Sequence, residues 1–407
     1  MINRPDLVPA EAPESVEIVQ LTHGDLPSSH VYMEAQIFAP DSRRFVLHES
    51  AHPHGSDKDD SRHCYLLCDL EDDCSLRAIT HEMGATAPSI SPDGRYLYYF
   101  IDQTEVGGGR LTLKRVGLDG SGRETVLVVD RPVAGPGRYA SRLYPLSTIR
   151  ADGAKLALSC FLGDGQGESL WGLLVFDVEA ATAEVILQGA SWCNIHPQYC
   201  RSTEPEYLGD ILVQENHGNQ TDARGQFAKL TGGAGADIHV IGEDGRNFRD
   251  LPWGRDGDEF CQGHQCWRGE SSWAITSTSV KSSGEQQLIE SRAVEHVGHL
   301  GLATPGGQRN DLSRAFAEPH FYHFATDRQA RRFVTDSSAQ DGGGRVYVAD
   351  FGVEGEDALA NWTCIAEPRS SWTKQAHIHP FLSPDGQTAF FNSDESGLLQ
   401  AYMVRGL

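Results

Sequence analysis

The stretch Phe381-Leu-Ser-Pro-Asp-Gly386, followed by Gln387-Thr-Ala-Phe-Phe391, decides how the fold is interpreted. It places apolar residues before a polar Asp-Gly turn and a run of β-forming residues after it, which is typical of a β-hairpin. Closely similar copies lie at Phe38 to Leu47, Ile90 to Phe100 and Ile149 to Leu158. Weaker copies lie at Tyr199 to Gln214, Trp267 to Thr276 and Phe324 to Thr335. One hairpin pattern therefore recurs along the whole chain.

The spacing of the copies defines a repeating unit. The intervals are 52, 59, 52, 65, 58 and 58 residues, counted from Asp41, Asp93, Asp152, Glu204, Gly269, Asp327 and Asp385. Most units contain a second apolar stretch that ends in an Asp-rich turn, such as Cys64 to Leu70. Two hairpins per unit make a four-stranded antiparallel sheet, which is the blade of a β-propeller. We predict an all-β fold, a seven-bladed propeller.

The two ends of the chain indicate how the ring of blades closes. After the seventh turn, Leu398 to Val404 is long enough for about one outer strand. A single strand pattern, Val16 to Leu21, precedes the first unit. Pairing of this strand with the last blade would close the ring and remove exposed sheet edges. We predict an N-terminal extension over residues 1–14 and one propeller domain over residues 15–407.

Charge limits the classes of partner. The 407 residues include 34 Lys and Arg against 57 Asp and Glu, which gives a net charge of −23. Such a balance argues against a nucleic-acid partner or an anionic membrane, because both require a basic face. A small acidic substrate remains compatible, since a local pocket can oppose the global sign.

The cysteines and the N-terminus suggest a compartment. The nine cysteines are an odd number and are scattered without the spacing of paired CxxC zinc units. Free thiols in a reducing cytoplasm are the better interpretation. The N-terminal residues are polar and lack the apolar core of a secretory signal. We therefore expect a cytoplasmic protein.

Histidines occur where the central channel is expected. In a propeller blade the residues just before the Asp-Gly turn belong to the innermost strand, which lines the channel. Four units carry histidine there, namely His196, His264, His323, and the pair His377 and His379. The units anchored at Asp93 and Asp152 carry none. Packing of the repeat therefore does not by itself require histidine at this position.

The segment Gln375-Ala-His377-Ile-His379 suggests a metal site. The period-2 geometry of a strand places Gln375, His377 and His379 on one face. These two imidazoles, with a third from His323 of the neighbouring unit, suit a divalent transition metal. The alternative is that the channel histidines only hydrogen-bond trapped water.

Other chemistries find less support in the sequence. A serine peptidase is disfavoured because no Gly-x-Ser-x-Gly motif is present. The clusters Gly107 to Gly109 and Gly342 to Gly344 precede strands, so they are interpreted as hairpin turns and not as phosphate loops. Trp192 and Trp372 could be platforms for a sugar ring or part of the core.

Several segments in one order resemble the oligogalacturonate lyases of polysaccharide lyase family 22. The resemblance covers mainly residues 190–400 and rests on Ser191-Trp192-Cys-Asn-Ile-His196-Pro197, Glu215-Asn-His217-Gly218, Thr221-Asp222-Ala223-Arg224, Gly242-Glu-Asp-Gly-Arg-Asn247, Gly263-His264-Gln-Cys-Trp267, His323-Phe-Ala-Thr-Asp327, Ser371-Trp372 and His377-Ile-His379-Pro380. It implies a seven-bladed propeller that cleaves short α-1,4-linked galacturonides from pectin by β-elimination, with a divalent metal that is commonly manganese.

The resemblance also assigns roles to individual residues. It implies metal ligation by His323, His377 and His379, with Gln375 as the fourth ligand. It implies that His264 is the catalytic base and that Arg224 binds substrate and takes part in catalysis. His196 and His217 become candidates for substrate contact or for proton donation.

The sequence departs from the family pattern in three places. Ile378 stands where the family has proline, and Gln375 lies two residues before His377 where the family has it three before. An insertion over residues 225–236 follows Arg224. Two alternatives to a galacturonide lyase stay open: a non-catalytic propeller that binds or assembles partners, and a metal-dependent hydrolase or epimerase acting on another uronide.

Overall fold

The Asp-Gly turns of the repeat share one hydrogen-bond pattern. In the last copy the Asp385 carboxylate accepts the backbone N–H of Gln387 at 3.0 Å, and Gly386 has a φ of +69°. Asp93 and Asp152 each accept the N–H two residues ahead at the same 3.0 Å distance. A positive φ favours glycine, so the Asp-Gly pair both caps and permits the tight turn. These local bonds place the first two strands of blades two, three and seven side by side.

The computed structural model describes residues 1–50, 58–229, 236–253, 259–281, 289–290, 300–313, 321–337, 342–352, 358–373 and 376–407. Within these residues the only helix is a single 3₁₀ turn, Pro5–Leu7. No helix in this part of the chain has the length and apolarity that crossing a membrane requires.

Seven antiparallel blades follow one another along the chain, and the predicted seven-bladed propeller is confirmed. Blade one has the strands Ser28–His30, Arg44–Glu49, Cys64–Asp69 and Ser75–Ala78. Blade two has Ala85–Ile90, Tyr96–Glu105, Gly108–Gly117 and Glu124–Val129. Blade three has Ser147–Ile149, Lys155–Phe161, Trp171–Asp177 and Thr182–Gly189. Blade four has Gln198–Tyr199, Asp210–Asn216, Ala236–Gly242 and Arg249–Asp250. Blade five has Glu259–Trp267, Ala274–Lys281, Leu300–Ala303 and Asn310–Asp311. Blade six has Phe321–Thr326, Arg332–Ser337, Arg345–Phe351 and Leu359–Ala366.

Short strands add to this frame. Blades four and five are joined through one residue pair, Ala236 with Cys261. The strand Ile289–Glu290 pairs with Ala274–Lys281 of blade five. A separate hairpin, Gln220–Thr221 with Phe227–Lys229, contains part of the predicted insertion after Arg224.

The seventh blade closes the ring with strands from both ends of the chain. Its strands are Phe381–Leu382, Ala389–Ser393, Gln400–Arg405 and the N-terminal Glu17–Gln20. The predicted closure by the N-terminal strand is therefore confirmed. Beyond it, Ile2–Asn3 pairs with the outer edge of Glu17–Gln20. The first residues of the chain thus belong to the same sheet as its last strand.

Apolar side chains fill the spaces between neighbouring blades. Phe45 of blade one packs against Phe390 of blade seven at a ring-centroid distance of 4.9 Å. Phe100 of blade two packs against Phe176 of blade three at the same distance of 4.9 Å. Inward-facing aromatic pairs of this kind hold adjacent sheets together. All nine cysteines are free, as predicted.

The closing strand offers a test of stability. Ile18 is fully buried and pairs with Val404. We expect Ile18→Ala to lower the free energy of unfolding by about 2–4 kcal/mol, because it leaves a cavity where the ring closes. Denaturant unfolding measures the loss. The matched variant is Glu17→Ala, at an exposed position whose salt bridge to Arg405 lies at the surface. It should change the free energy of unfolding by less than about 1 kcal/mol. Equal losses in the two variants would contradict closure by this strand.

One loop of blade one crosses the channel. Tyr32 contacts histidines of blades four, six and seven, and its neighbour two residues on, Glu34, contacts blade four as well. Gln36 hydrogen-bonds the backbone of Ile149 in blade three. We call residues 31–37 the channel segment, because they run through the space that all blades surround.

Candidate metal and active site

Three histidines converge at the channel end where the innermost strands begin. The ligating nitrogens of His323, His377 and His379 all lie within 4.8 Å of one another. Two ligands that share an ion about 2.0–2.1 Å away are about 3–4 Å apart, so a small inward movement would complete a site. We call these three residues the histidine cluster. The structure thus brings together the three histidines that the sequence predicts to be metal ligands.

The alternation around Ile378 explains how two neighbouring histidines reach one site. Ile378 is fully buried and belongs to the largest hydrophobic core, and its carbonyl accepts the backbone N–H of Asn392 at 2.8 Å. His377 and His379, on either side of the buried Ile378, both belong to the histidine cluster. His379 has a φ of +46°, so the segment departs from a regular strand at this residue. The apolar residue between them fixes the segment to blade seven.

An irregularity in the strand aims His323 into the channel. The pairing of Phe321–Thr326 with Arg332–Ser337 shifts register between Phe321 and Phe324. At this bulge the hydroxyl of Thr335 donates to the carbonyl of His323 at 3.0 Å. Bulges commonly redirect a side chain beside a functional site.

His264 occupies the equivalent position of blade five. The pairing of its strand also shifts register, between Cys261 and Gln265, and the hydroxyl of Thr276 donates to the His264 carbonyl at 2.9 Å. The His264 ring lies 4.6 Å from the His323 ring, centroid to centroid, in an edge-to-face arrangement. His264 is therefore a direct neighbour of the histidine cluster.

A buried carboxylate lies behind the cluster. Asp336 is fully buried; its Oδ2 lies 2.7 Å from Nδ1 of His323, and its Oδ1 accepts the His323 backbone N–H at 2.8 Å. Burial raises the pKa of Asp336 to about 7, and the hydrogen bonds from the backbone oppose this rise. A carboxylate on one imidazole nitrogen directs the other nitrogen toward a metal. The donor set therefore fits a divalent transition metal.

Asp336 gives a prediction that is separate from the ligands themselves. We expect Asp336→Asn to weaken metal binding by about 10–100-fold, because the neutral amide no longer orients and polarises His323. Competition with a metal-binding dye measures the affinity. The control Asp210→Asn changes another buried aspartate, which pairs with Arg249 in blade four, and should leave the affinity unchanged. Unaltered affinity in Asp336→Asn would show that this carboxylate does not support the site.

A second buried network adjoins the cluster. Nδ1 of His196 lies 2.9 Å from Oε2 of Glu34, and the Tyr144 hydroxyl lies 3.1 Å from the His196 ring nitrogens. The Tyr32 ring connects this network to the cluster, since it lies 5.6 Å from the His196 ring and 4.7 Å from the His379 ring. Burial raises the pKa of Glu34 and of both tyrosines. At neutral pH the tyrosine hydroxyls therefore keep their protons.

A cleft of about 800 Å³ opens beside this network. Tyr144 lines it together with Arg142 and the predicted substrate-binding residue Arg224. The Arg142 guanidinium donates to the Arg224 carbonyl, and the Arg224 side chain is exposed. Lys58 also lines the cleft, where it pairs with Asp102 at 3.8 Å, and Glu105 is a second acidic residue of the lining. The two arginines are thus the cations of the cleft that are available to an acidic ligand.

The remaining predicted residues fall in other places. His217 is exposed and pairs with Asp237 at 3.2 Å. Gln375, the predicted fourth ligand, lies outside the described residues. Trp192 is buried and packs edge-on against His239, whereas Trp372 is half-buried with its ring 6.1 Å from that of His377. Of the two tryptophans, only Trp372 therefore contacts the cluster.

Sequence reasoning missed several residues of the site. Tyr32, Glu34 and Asp336 stand away from the Asp-Gly turns that organise the repeat, and Tyr144 and Arg142 lie in a loop before blade three. One signal was available: Glu34 is an acidic residue in a mainly apolar stretch, Val31 to Phe38. Such a residue must be paired when the stretch is buried.

The fold and the cluster together define a seven-bladed propeller with a candidate metal centre at one end of its channel. The chain matches a structure described as oligogalacturonate lyase in complex with manganese, with a TM-score of 0.70 and 19% identity, over 97% of this chain and 94% of that one. It matches oligogalacturonate lyase from Vibrio parahaemolyticus with a TM-score of 0.69 and 16% identity, over 98% and 96% of the two chains.

Other propellers are more distant. A prolyl endopeptidase structure gives a TM-score of 0.51 at 9% identity and covers 93% of this chain but 50% of that one. No protein-family model and no curated protein matches the sequence. The predicted resemblance to oligogalacturonate lyases is confirmed in the fold, and likeness at these identities shows the fold alone.

Proposed function

We propose that this protein is a lyase that cleaves short oligosaccharides of uronic acids, oligogalacturonides first among them, by metal-assisted β-elimination. The observation that carries the proposal is the arrangement of His264 against a three-histidine cluster backed by Asp336. A base beside a candidate metal centre matches what this elimination requires. The fold shared with oligogalacturonate lyases supports the same choice.

The difficulty of the reaction lies in the C5 proton of the uronide. This proton is α to the C6 carboxylate, and it is barely acidic while that carboxylate is an anion. A divalent ion, with manganese as the first candidate, supplies Lewis-acid stabilisation of the charge that develops on the carboxylate. His323, His377 and His379 would hold the ion, with Gln375 or water as a further ligand.

His264 is the proposed base. The C5–H bond breaks and its proton passes to the neutral imidazole of His264; histidine is the side chain that most often serves as a general base near neutral pH. The electron pair forms the C4–C5 double bond while the bond from C4 to the departing oxygen breaks. That oxygen can take a proton from the partly buried Tyr144, whose hydroxyl lies against His196 beside the cleft.

The cleft suits an acidic sugar chain. Arg224 and Arg142 offer planar guanidinium groups, which bind a carboxylate through two parallel hydrogen bonds. They would hold the uronate of the neighbouring sugar unit, while the Glu34–His196 pair positions Tyr144. The net charge of −23 is unfavourable for nucleic acid. The nine free thiols support action in a reducing cytoplasm.

A spectroscopic assay separates the proposal from its alternatives. Elimination leaves a carbon–carbon double bond conjugated with the carboxylate, which absorbs in the ultraviolet, whereas hydrolysis and epimerisation do not. We expect absorbance to rise with di- or trigalacturonate and the manganese-loaded protein, to stop with a chelator, and to return with added manganese. Cleavage without a rise in absorbance would indicate a hydrolase. No turnover of any uronide by the metal-loaded protein would favour a binding module.

A further inference from the structure

The opposite end of the channel carries an arginine pair that the proposed reaction does not use. In every blade one backbone N–H at the end of the innermost strand donates to a carbonyl at the start of the second strand; the donors are Ala39, Ser91, Arg150, Cys200, Arg268, Asp327 and Ser383. The residue after each donor therefore occupies an equivalent position in the ring. Five of these residues are small or proline: Pro40, Pro92, Ala151, Gly269 and Pro384. The other two are Arg201 and Arg328.

Six of these seven positions, all except Gly269, line a cavity of about 160 Å³. It lies at the end of the channel where the turns between the first two strands of the blades are found, which we call the turn end. All seven blades contribute to its lining. Its wall is mainly apolar and includes Met33, Ile37, Ile90, Ile149, Phe381 and Leu382. The channel segment provides the first two of these residues and carries Tyr32 at the histidine cluster. The cavity and the candidate active site thus lie on either side of one segment.

The two arginines differ in their pairing. Arg328 is exposed and pairs with Glu270 through its Nε. Arg201 is partly buried at the cavity and makes no salt bridge within the described residues. Burial lowers the pKa of Arg201 below its ordinary value, and the nearby thiols of Cys266 and Cys200 and the Glu270 carboxylate oppose this shift. Among the residues that line the cavity, two guanidinium groups stand against one carboxylate.

Such an arginine is costly unless a ligand satisfies it. Glu270, the one acidic residue of the lining, is already hydrogen-bonded to Arg328. A partly desolvated cation that makes no salt bridge of its own destabilises the fold, and its guanidinium has five N–H donors to offer. A carboxylate fits this group bidentately, and an apolar tail fits the lining beyond it. We propose that the turn end of the channel is a second binding site, which takes a small carboxylate with a short apolar chain. The proposal does not depend on the lyase activity.

The test uses hexanoate as the probe and hexanamide as its neutral analogue. Binding to the full-length, metal-loaded protein is followed by ligand-observed NMR. We expect hexanoate to bind saturably and hexanamide to bind at least 10-fold more weakly. The substitution Arg201→Met should weaken the binding of hexanoate at least 10-fold. Arg95→Met removes an exposed arginine from an Asp-Gly turn of blade two and should change nothing.

Each contrary result would overturn the proposal. No saturable binding of hexanoate, or equal binding of hexanoate and hexanamide by the wild-type protein, would exclude a carboxylate site. Hexanoate binding that Arg201→Met leaves unchanged would place the probe elsewhere, for example at the metal. The comparison of the two probes requires no variant, so it remains decisive if Arg201→Met fails to fold.

Discussion

Replacing His377 with alanine is expected to abolish retention of a divalent transition metal. The three cluster nitrogens lie within 4.8 Å of one another, so removal of one leaves two of the three proposed histidine ligands. Removing a ligand should cost more than the roughly 100-fold that loss of a supporting hydrogen bond costs. Metal analysis after gel filtration of manganese-loaded protein measures retention. His377 is half-buried and lies between blades six and seven, so the propeller should stay folded.

The control is His23→Ala, which removes an exposed histidine outside the channel and should retain the metal. Circular dichroism and the thermal midpoint check that both variants fold. Full metal content in His377→Ala would refute the assignment. If the wild-type protein also fails to retain a metal, the channel histidines hydrogen-bond water and the binding-module alternative gains weight.

The repeat made the fold predictable from local sequence. The Asp-Gly turns encode their own hydrogen bonds, and they recur at intervals close to one blade in length. The closing strand could be predicted because the last blade lacks a fourth strand in the C-terminal sequence, and the lone N-terminal strand can supply it. Blade five was predictable only in part, because its turn at Gly269 lacks aspartate and is recognised mainly by its position in the series.

The site was less predictable because it depends on contacts between distant parts of the chain. Period-2 alternation predicted His377 and His379 on one side, but it did not predict the positive φ of His379, +46°, which departs from a regular strand. Nothing local connects His196 to Glu34, which lies 162 residues earlier, or places the channel segment beside the cluster. The bulges at His264 and His323 are also invisible in the sequence, although each is followed by a threonine 12 residues on that bonds its carbonyl.

His264→Ala is expected to lower turnover of an oligogalacturonide by about 10²–10⁴-fold, the usual contribution of a positioned base. The His264 ring packs edge-to-face on His323, which places it beside the site where the C6 carboxylate would bind. His264→Gln should be equally slow, because an amide forms hydrogen bonds but does not take up the proton. Steady-state kinetics with the ultraviolet assay measure the effect, and His81→Ala, at an exposed position outside the channel, should retain full turnover.

Three results distinguish the roles open to His264. A base affects turnover while metal content and the Michaelis constant stay near their wild-type values, since the ligands and the arginines of the cleft are untouched. If His264→Ala only raises the Michaelis constant, His264 binds substrate, and His196 becomes the better candidate for the base because Glu34 already orients its ring. If the variant loses its metal, His264 belongs to the coordination shell. Metal content should be measured first, because the short distance between the His264 and His323 rings makes coordination by His264 the alternative that most needs to be tested.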